Sequence, residues 1–154
     1  MDRPQLKTLV EWLATWFGLG RMPFVPGTFA TLGAFPVVYA FALLGPLPYM
    51  IATIVFIVFS VLVAHIFESF HGEHDSSCIV IDEVAGFLVT MTWVPLTPQY
   101  WIAGFLLFRI FDMLKPFPIG LLDAKVKGGL GTVIDDVAAG LVANVILQFW
   151  LGRF

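Results

Sequence analysis

Three long stretches of this chain hold no Asp, Glu, Lys or Arg: Met22 to Phe67 (46 residues), Val84 to Phe108 (25 residues) and Val137 to Gly152 (16 residues). A bilayer-crossing helix needs about 20 apolar residues, or about 17 if short. The gaps therefore point to membrane spans. Turn sequences divide the first two, Gly45-Pro46-Leu47-Pro48 and Pro95-Leu96-Thr97-Pro98. Five apolar segments result, at about Phe29–Leu44, Tyr49–Phe67, Val84–Val94, Tyr100–Leu114 and Val133–Leu151. The third is short. It spans only by tilting, by thinning the bilayer or by borrowing the preceding Ile79–Ile81 run, and is otherwise a buried, non-spanning helix.

Composition agrees. Of 154 residues, 59% are hydrophobic and 12% charged, against about 25% charged in a soluble domain. A soluble globule, a disordered chain and a nucleic-acid binder are excluded. The single cysteine, Cys78, rules out an intramolecular disulfide and a Cys-rich metal site. The expected fold is all-α: a polytopic membrane helical bundle of four to five transmembrane helices, forming one domain over 1–154. Residues 22–154 make the bundle. Residues 1–21 carry an amphipathic helix lying in the interface, with Leu6, Leu9, Val10, Leu13, Trp16 and Phe17 on one stripe.

The connections differ in charge. Residues 45–48 and 95–99 carry none, whereas 1–21, 68–83 and 115–132 carry most of it. With five spans these groups fall on opposite faces. Arg3, Lys7, Arg21, Lys115, Lys125 and Lys127 gather on the charged face, which marks it as cytoplasmic, with Arg153 the exception.

Ionisable residues at membrane depth are expensive and are functional candidates by default. Asp82-Glu83 begins the third span and Asp135-Asp136 the fifth, while Arg109, Asp112 and Lys115 follow each other at i, i+3 and i+6 near the end of the fourth. Asp75 lies in a charged loop. Carboxylates converging on one rim repel one another unless a cation joins them, and hard oxygen ligands favour Mg²⁺, Mn²⁺ or Ca²⁺ over zinc. Arg109 and Lys115 suit phosphate contacts. The competing reading is interfacial salt bridges, Arg109 with Asp112 and Lys115 with Asp112. Gly27 permits close backbone approach and Thr28 is a good N-cap, so this helix start reads as a phosphate site or as a plain helix start. The glycines of Gly128-Gly129-Leu130-Gly131 read the same way, more weakly. His65 reads as a packed or hydrogen-bonded residue within its span. No Gly-x-Ser-x-Gly elbow, Walker-type loop or Asp-x-Asp signature is present.

Several blocks occur in order from about Gly20 to Ala143: Gly20…Pro23…Pro26-Gly27-Thr28; His74-Asp75…Ile79-Val80-Ile81-Asp82-Glu83…Gly86; Arg109-Ile110-Phe111-Asp112…Lys115-Pro116-Phe117-Pro118-Ile119; and Asp123…Gly128-Gly129…Gly131…Asp135-Asp136…Ala139-Gly140. Together they resemble the phosphatidylglycerophosphatase A family. Two departures, Phe117 where Trp is frequent and Lys127 where His is often seen, bear only on substrate fit. The resemblance implies a multi-pass enzyme of the bacterial inner membrane. It implies Mg²⁺-dependent removal of the terminal phosphate of phosphatidylglycerophosphate, giving phosphatidylglycerol, with the site on the cytoplasmic side. It implies metal ligands among Asp75, Asp82, Glu83, Asp112, Asp135 and Asp136, catalytic roles for Asp82, Glu83, Asp112 and Asp136, and phosphate contacts from Thr28, Arg109 and Lys115. The competing functions are a small cation carrier or channel subunit, and a lipid phosphatase with another substrate. A carrier tends to hold its charges near the bilayer midplane, whereas these gather at one face.

Overall fold

The computed structural model describes residues 3–72, 76–117 and 119–153, without the side chains of residues 123 and 124. Among these residues all regular structure is helical: α1 (Arg3–Ala14), a 3₁₀ turn (Leu19–Arg21), α2 (Pro26–Gly33), α3 (Phe35–Ala42), α4 (Pro46–His71), α5 (Ile81–Thr90), α6 (Pro98–Leu114), α7 (Ile119–Lys125) and α8 (Gly129–Trp150).

Two helices are long and apolar enough to cross a bilayer, α4 with 26 residues and α8 with 22. At 1.5 Å per residue they reach about 39 and 33 Å, against a hydrocarbon core of about 30 Å. On α4, Ile51, Ile54, Val55, Val58 and Leu62 stand exposed on one helical stripe. An outward apolar stripe of this kind suits a surface that meets lipid. The other apolar segments are shorter. The first divides into α2 and α3, which meet at Ala34. The third, α5, has 10 residues, or about 15 Å, and is buried along nearly its whole length. At that length the helix is too short to cross a bilayer by itself.

α5 and α8 form the centre of the bundle and run parallel. Gly86 and Gly140 sit where they touch: a Cβ on Gly140 would stand 2.3 Å from the Gly86 carbonyl oxygen. Small residues let helix backbones approach this closely, and van der Waals contact then holds them without a hydrophobic gradient. One turn further on, Asn144 Nδ2 donates to the carbonyls of Thr90 and Thr92, both at 2.8 Å, and Gln148 Nε2 donates to Thr92 at 3.0 Å. These bonds satisfy carbonyls that the C-terminus of α5 would otherwise strand away from water. The consequence for the site is registry: with Gly86 level with Gly140, Asp82 one turn earlier comes level with Asp136.

The N-terminal helix departs from the expected stripe. α1 ends at Ala14, and Trp16 and Phe17 follow in left-handed conformations with φ of 45° and 58°. Val10 and Ala14 are buried and Trp16 packs edge-on against Phe56 of α4, while Leu9, Trp12 and Phe17 remain exposed. One apolar edge therefore docks on the bundle, and a second is left outward.

Candidate functional site at the charged end of the bundle

The acidic residues reach one place because four helix ends do. Asp82 and Glu83 occupy the first turn of α5, where the helix dipole favours negative charge. Asp135 and Asp136 lie two turns into α8, which starts at Gly129, four residues before the apolar gap suggested. Asp112 and Arg109 come from the last turns of α6, and Gly27 from the start of α2. Together with Lys115, Thr132, Ser76 and Ser77 they line a cleft of about 330 Å³.

At its floor, carboxylate oxygens of Asp82, Glu83 and Asp136 lie within 4.8 Å of one another. Arg109 Nη1 donates to Asp112 Oδ2 and stands 3.8 Å from Glu83 Oε1. Lys115 Nζ lies 2.7 Å from Asp135 Oδ2. The salt-bridge reading thus holds for Arg109 with Asp112, but Lys115 turns to Asp135 rather than to Asp112. Among the described residues, five carboxylates and two cations line the cleft. Burial, then the neighbouring Asp136 carboxylate, pushes Glu83 up to about 8. Burial, followed by the Glu83 charge, raises Asp82 well above the ordinary carboxylate range. Glu83 Oε2 and Arg109 Nε are buried without a hydrogen-bond partner. Buried polar atoms are rarely left so, which suits a site made to receive a charged ligand.

The three-carboxylate cluster fits a hard divalent cation. Oxygens around Mg²⁺ stand about 3 to 4 Å apart, a small contraction from the spacing here. The donors are all oxygen, as Mg²⁺ or Ca²⁺ prefer.

Gly27 explains the local shape. A Cβ there would lie 2.0 Å from Glu83 Oε1 and 2.9 Å from Arg109 Nη1. Any side chain at this position would displace the ion pair. Helix α2 starts at Pro26, and its N-cap is Val25 with φ 40° and ψ 57°, not Thr28. Thr28 sits in the first turn and is not among the residues lining the cleft. The glycines at the start of α8 also lie off the cleft. A Cβ on Gly129 would meet the α4 backbone at His65, 2.3 Å away, so that glycine serves close helix packing. His65 itself is exposed on α4. Asp75 lies outside the described residues.

Three contacts were not visible in the motifs. Thr132 Oγ1 donates to Glu68 Oε1 at 2.8 Å, tying the end of α4 to the start of α8. Glu11 accepts from Arg21 at 2.8 Å and stands 3.1 Å from His71 Nε2, joining α1, the 3₁₀ turn and α4. The Thr132–Glu68 and Glu11–His71 pairs are far apart in sequence, and Glu11–Arg21 crosses the break after α1, so no spacing rule reaches them.

The sequence model of the phosphatidylglycerophosphatase A family matches residues 12–151. The chain belongs to the phosphatidylglycerophosphatase A family. Two proteins named phosphatidylglycerophosphatase A support this assignment. The one from Escherichia coli strain K12 is 39% identical over 96% of this chain and 87% of its own length. The one from Haemophilus influenzae is 35% identical over 92% of this chain and 90% of its own. A Bacteroides thetaiotaomicron protein, 35% identical over 96% of this chain and 95% of its own, is named as a candidate phosphatidylinositol-3-phosphatase. No solved structure matches. As a family member the chain is a phosphatase.

Proposed function

We propose that this chain hydrolyses the terminal phosphomonoester of phosphatidylglycerophosphate, releasing phosphatidylglycerol and inorganic phosphate. The observation that carries the reading is the joining of Asp82, Glu83 and Asp136 with Arg109 at one end of a membrane bundle, in a chain of this family. The bundle is multi-pass, with α2–α3 and α6 adding to the two long spans and the charged end on the cytoplasmic side. The excess of Lys and Arg at that end supports this orientation.

The residues suited to hold Mg²⁺ are Asp82, Glu83 and Asp136, with Asp112 and Asp135 beside them. Bound there, the ion supplies charge neutralisation for phosphate oxygens and a template for in-line displacement. Arg109 and Lys115 bind the non-bridging oxygens of the phosphate, exchanging their carboxylate partners for the substrate. Asp82 or Glu83 orients the attacking water and accepts its proton. The water oxygen bonds to phosphorus as the bond to the glycerol oxygen breaks; the leaving oxygen takes a proton from solvent water, and the carboxylate returns to solvent the proton it accepted, so that one water is divided between the two products. Positioning and electrostatics supply most of the acceleration in phosphoryl transfer.

Purified protein with Mg²⁺ is expected to release phosphate from phosphatidylglycerophosphate, and excess EDTA to stop it. Asp82→Asn and Asp136→Asn are each expected to lower turnover at least about 10³-fold while the helical circular-dichroism signal stays. Full activity in EDTA removes the metal from the reading, and normal turnover in either variant removes that residue.

A second substrate reading, another phospholipid phosphomonoester, is favoured by the name of the Bacteroides relative. Competition between phosphatidylglycerophosphate, phosphatidate and phosphatidylinositol 3-phosphate separates the two.

A further inference from the structure

The carboxylates are buried, yet a phospholipid keeps its acyl chains in the bilayer. Something must let the headgroup in sideways. One part of the cleft wall is apolar and open outward; the rest, apart from Gly27 and the buried Ile79, is charged or carries hydroxyls. Val25 and Pro26 line it from the start of α2, and Met113 from the end of α6. These two edges are neighbours. Gly27 packs against Arg109, and Met113 lies one turn beyond Arg109 on the same face of α6.

The apolar character continues outward. Val25 is 55% exposed and Met113 67%, and the flanking Phe24 and Leu114 are exposed at 77% and 73%. Large apolar side chains exposed together beside five carboxylates mark a binding surface rather than a water-facing rim. The resulting gradient runs from Glu83, Asp112 and Arg109 inside to Phe24 and Leu114 outside. A glycerophospholipid has the same gradient, from phosphate through glycerol esters to hydrocarbon.

We infer that the gap between the start of α2 and the end of α6 is a lateral portal for one membrane phospholipid. It seats the glycerol backbone and the first acyl methylenes between Val25 and Met113, while the headgroup phosphate reaches Arg109 and Lys115. This inference rests on the lipid-phosphatase reading above. The headgroup is reached without lifting the chains out of the hydrocarbon.

The test compares dioleoyl with diacetyl phosphatidylglycerophosphate, the second carrying one methyl on each ester and so no acyl methylenes to set between Val25 and Met113. In Val25→Asp and Met113→Asp, the ratio of kcat/KM for the long lipid over the short one is expected to fall about tenfold. A ratio within twofold of wild type in both variants overturns the portal, as does an equal loss on both lipids. A second measurement needs no variant. A phospholipid with a diazirine near the top of one acyl chain is expected to label wild-type residues 24–26 and 113–117; labelling absent from both segments overturns the portal. If the wild type releases phosphate from neither lipid, the substrate assignment fails, and the labelling still reads whether this gap receives a lipid.

Discussion

Gly27 marks how little room the site leaves. The Glu83 carboxylate lies against its Cα, and the Arg109 guanidinium close by. Gly27→Ala must push Glu83 aside, because the backbone of α2 cannot retreat without moving Pro26 and the strained Val25. Displacing a catalytic group by about 1 Å can cost roughly 10²-fold in rate. A loss of that order in kcat is expected, with the protein still folded and phosphate release from phosphatidylglycerophosphate as the readout. Activity within twofold of wild type would show that Glu83 is not held where the chemistry needs it. The residues of the cluster were legible in the sequence because carboxylates are costly in so apolar a chain. The partner of Lys115 was not. Its i+3 spacing from Asp112 assumes that the helix continues, but Lys115 takes φ 41°, leaves the α6 stripe and reaches Asp135 instead. Thr28 misled for a similar reason. Pro26, with its φ already set for a helix, starts α2 earlier than the capping preference of Thr suggests.

The helical segments were readable from the charge gaps, but not their ends. Apolarity tracks burial in lipid or protein, whereas helices end where backbone bonding does. Thus α4 runs past Glu68 to His71, and α8 begins among glycines before its first long apolar run. The glycine contact between α5 and α8 was invisible, because it pairs residues 54 apart in the chain. It nevertheless sets which carboxylates face each other. Gly140→Val places a branched side chain against the Gly86 carbonyl and forces the helices apart. Overpacking of this kind costs about 1–3 kcal/mol. The thermal midpoint in detergent is expected to fall by several degrees. Phosphatase activity is expected to fall too, because Asp136 sits one turn away. An unchanged midpoint would show that the two backbones are not in contact.

At the scale of the whole molecule, the two ends of the bundle have different chemistry. At one end lie the carboxylate cluster, the Glu68–Thr132 bond and the Glu11–Arg21–His71 contacts. At the other, Gly45, Pro46, Trp93 and Pro95 surround an apolar hollow, with Arg153 donating to the Trp93 carbonyl. This polarity is stronger than the count of spans, because it needs only that α4 and α8 cross. Both helices put their charged ends together: α4 by its C-terminus and α8 by its N-terminus. In the orientation proposed above, the substrate lipid enters from the leaflet that faces the charged end, because Lys and Arg are retained on the cytoplasmic side. The sidedness can be read with cysteines in a Cys78→Ser background. Leu47 and Lys127 are both exposed, one at each end. In intact spheroplasts a membrane-impermeant maleimide is expected to label Leu47→Cys. Lys127→Cys is expected to react only after the membrane is opened. The reverse pattern would invert the bundle and place the cleft outside. Equal labelling of both in intact cells would mean that α4 and α8 do not separate the two ends across a bilayer.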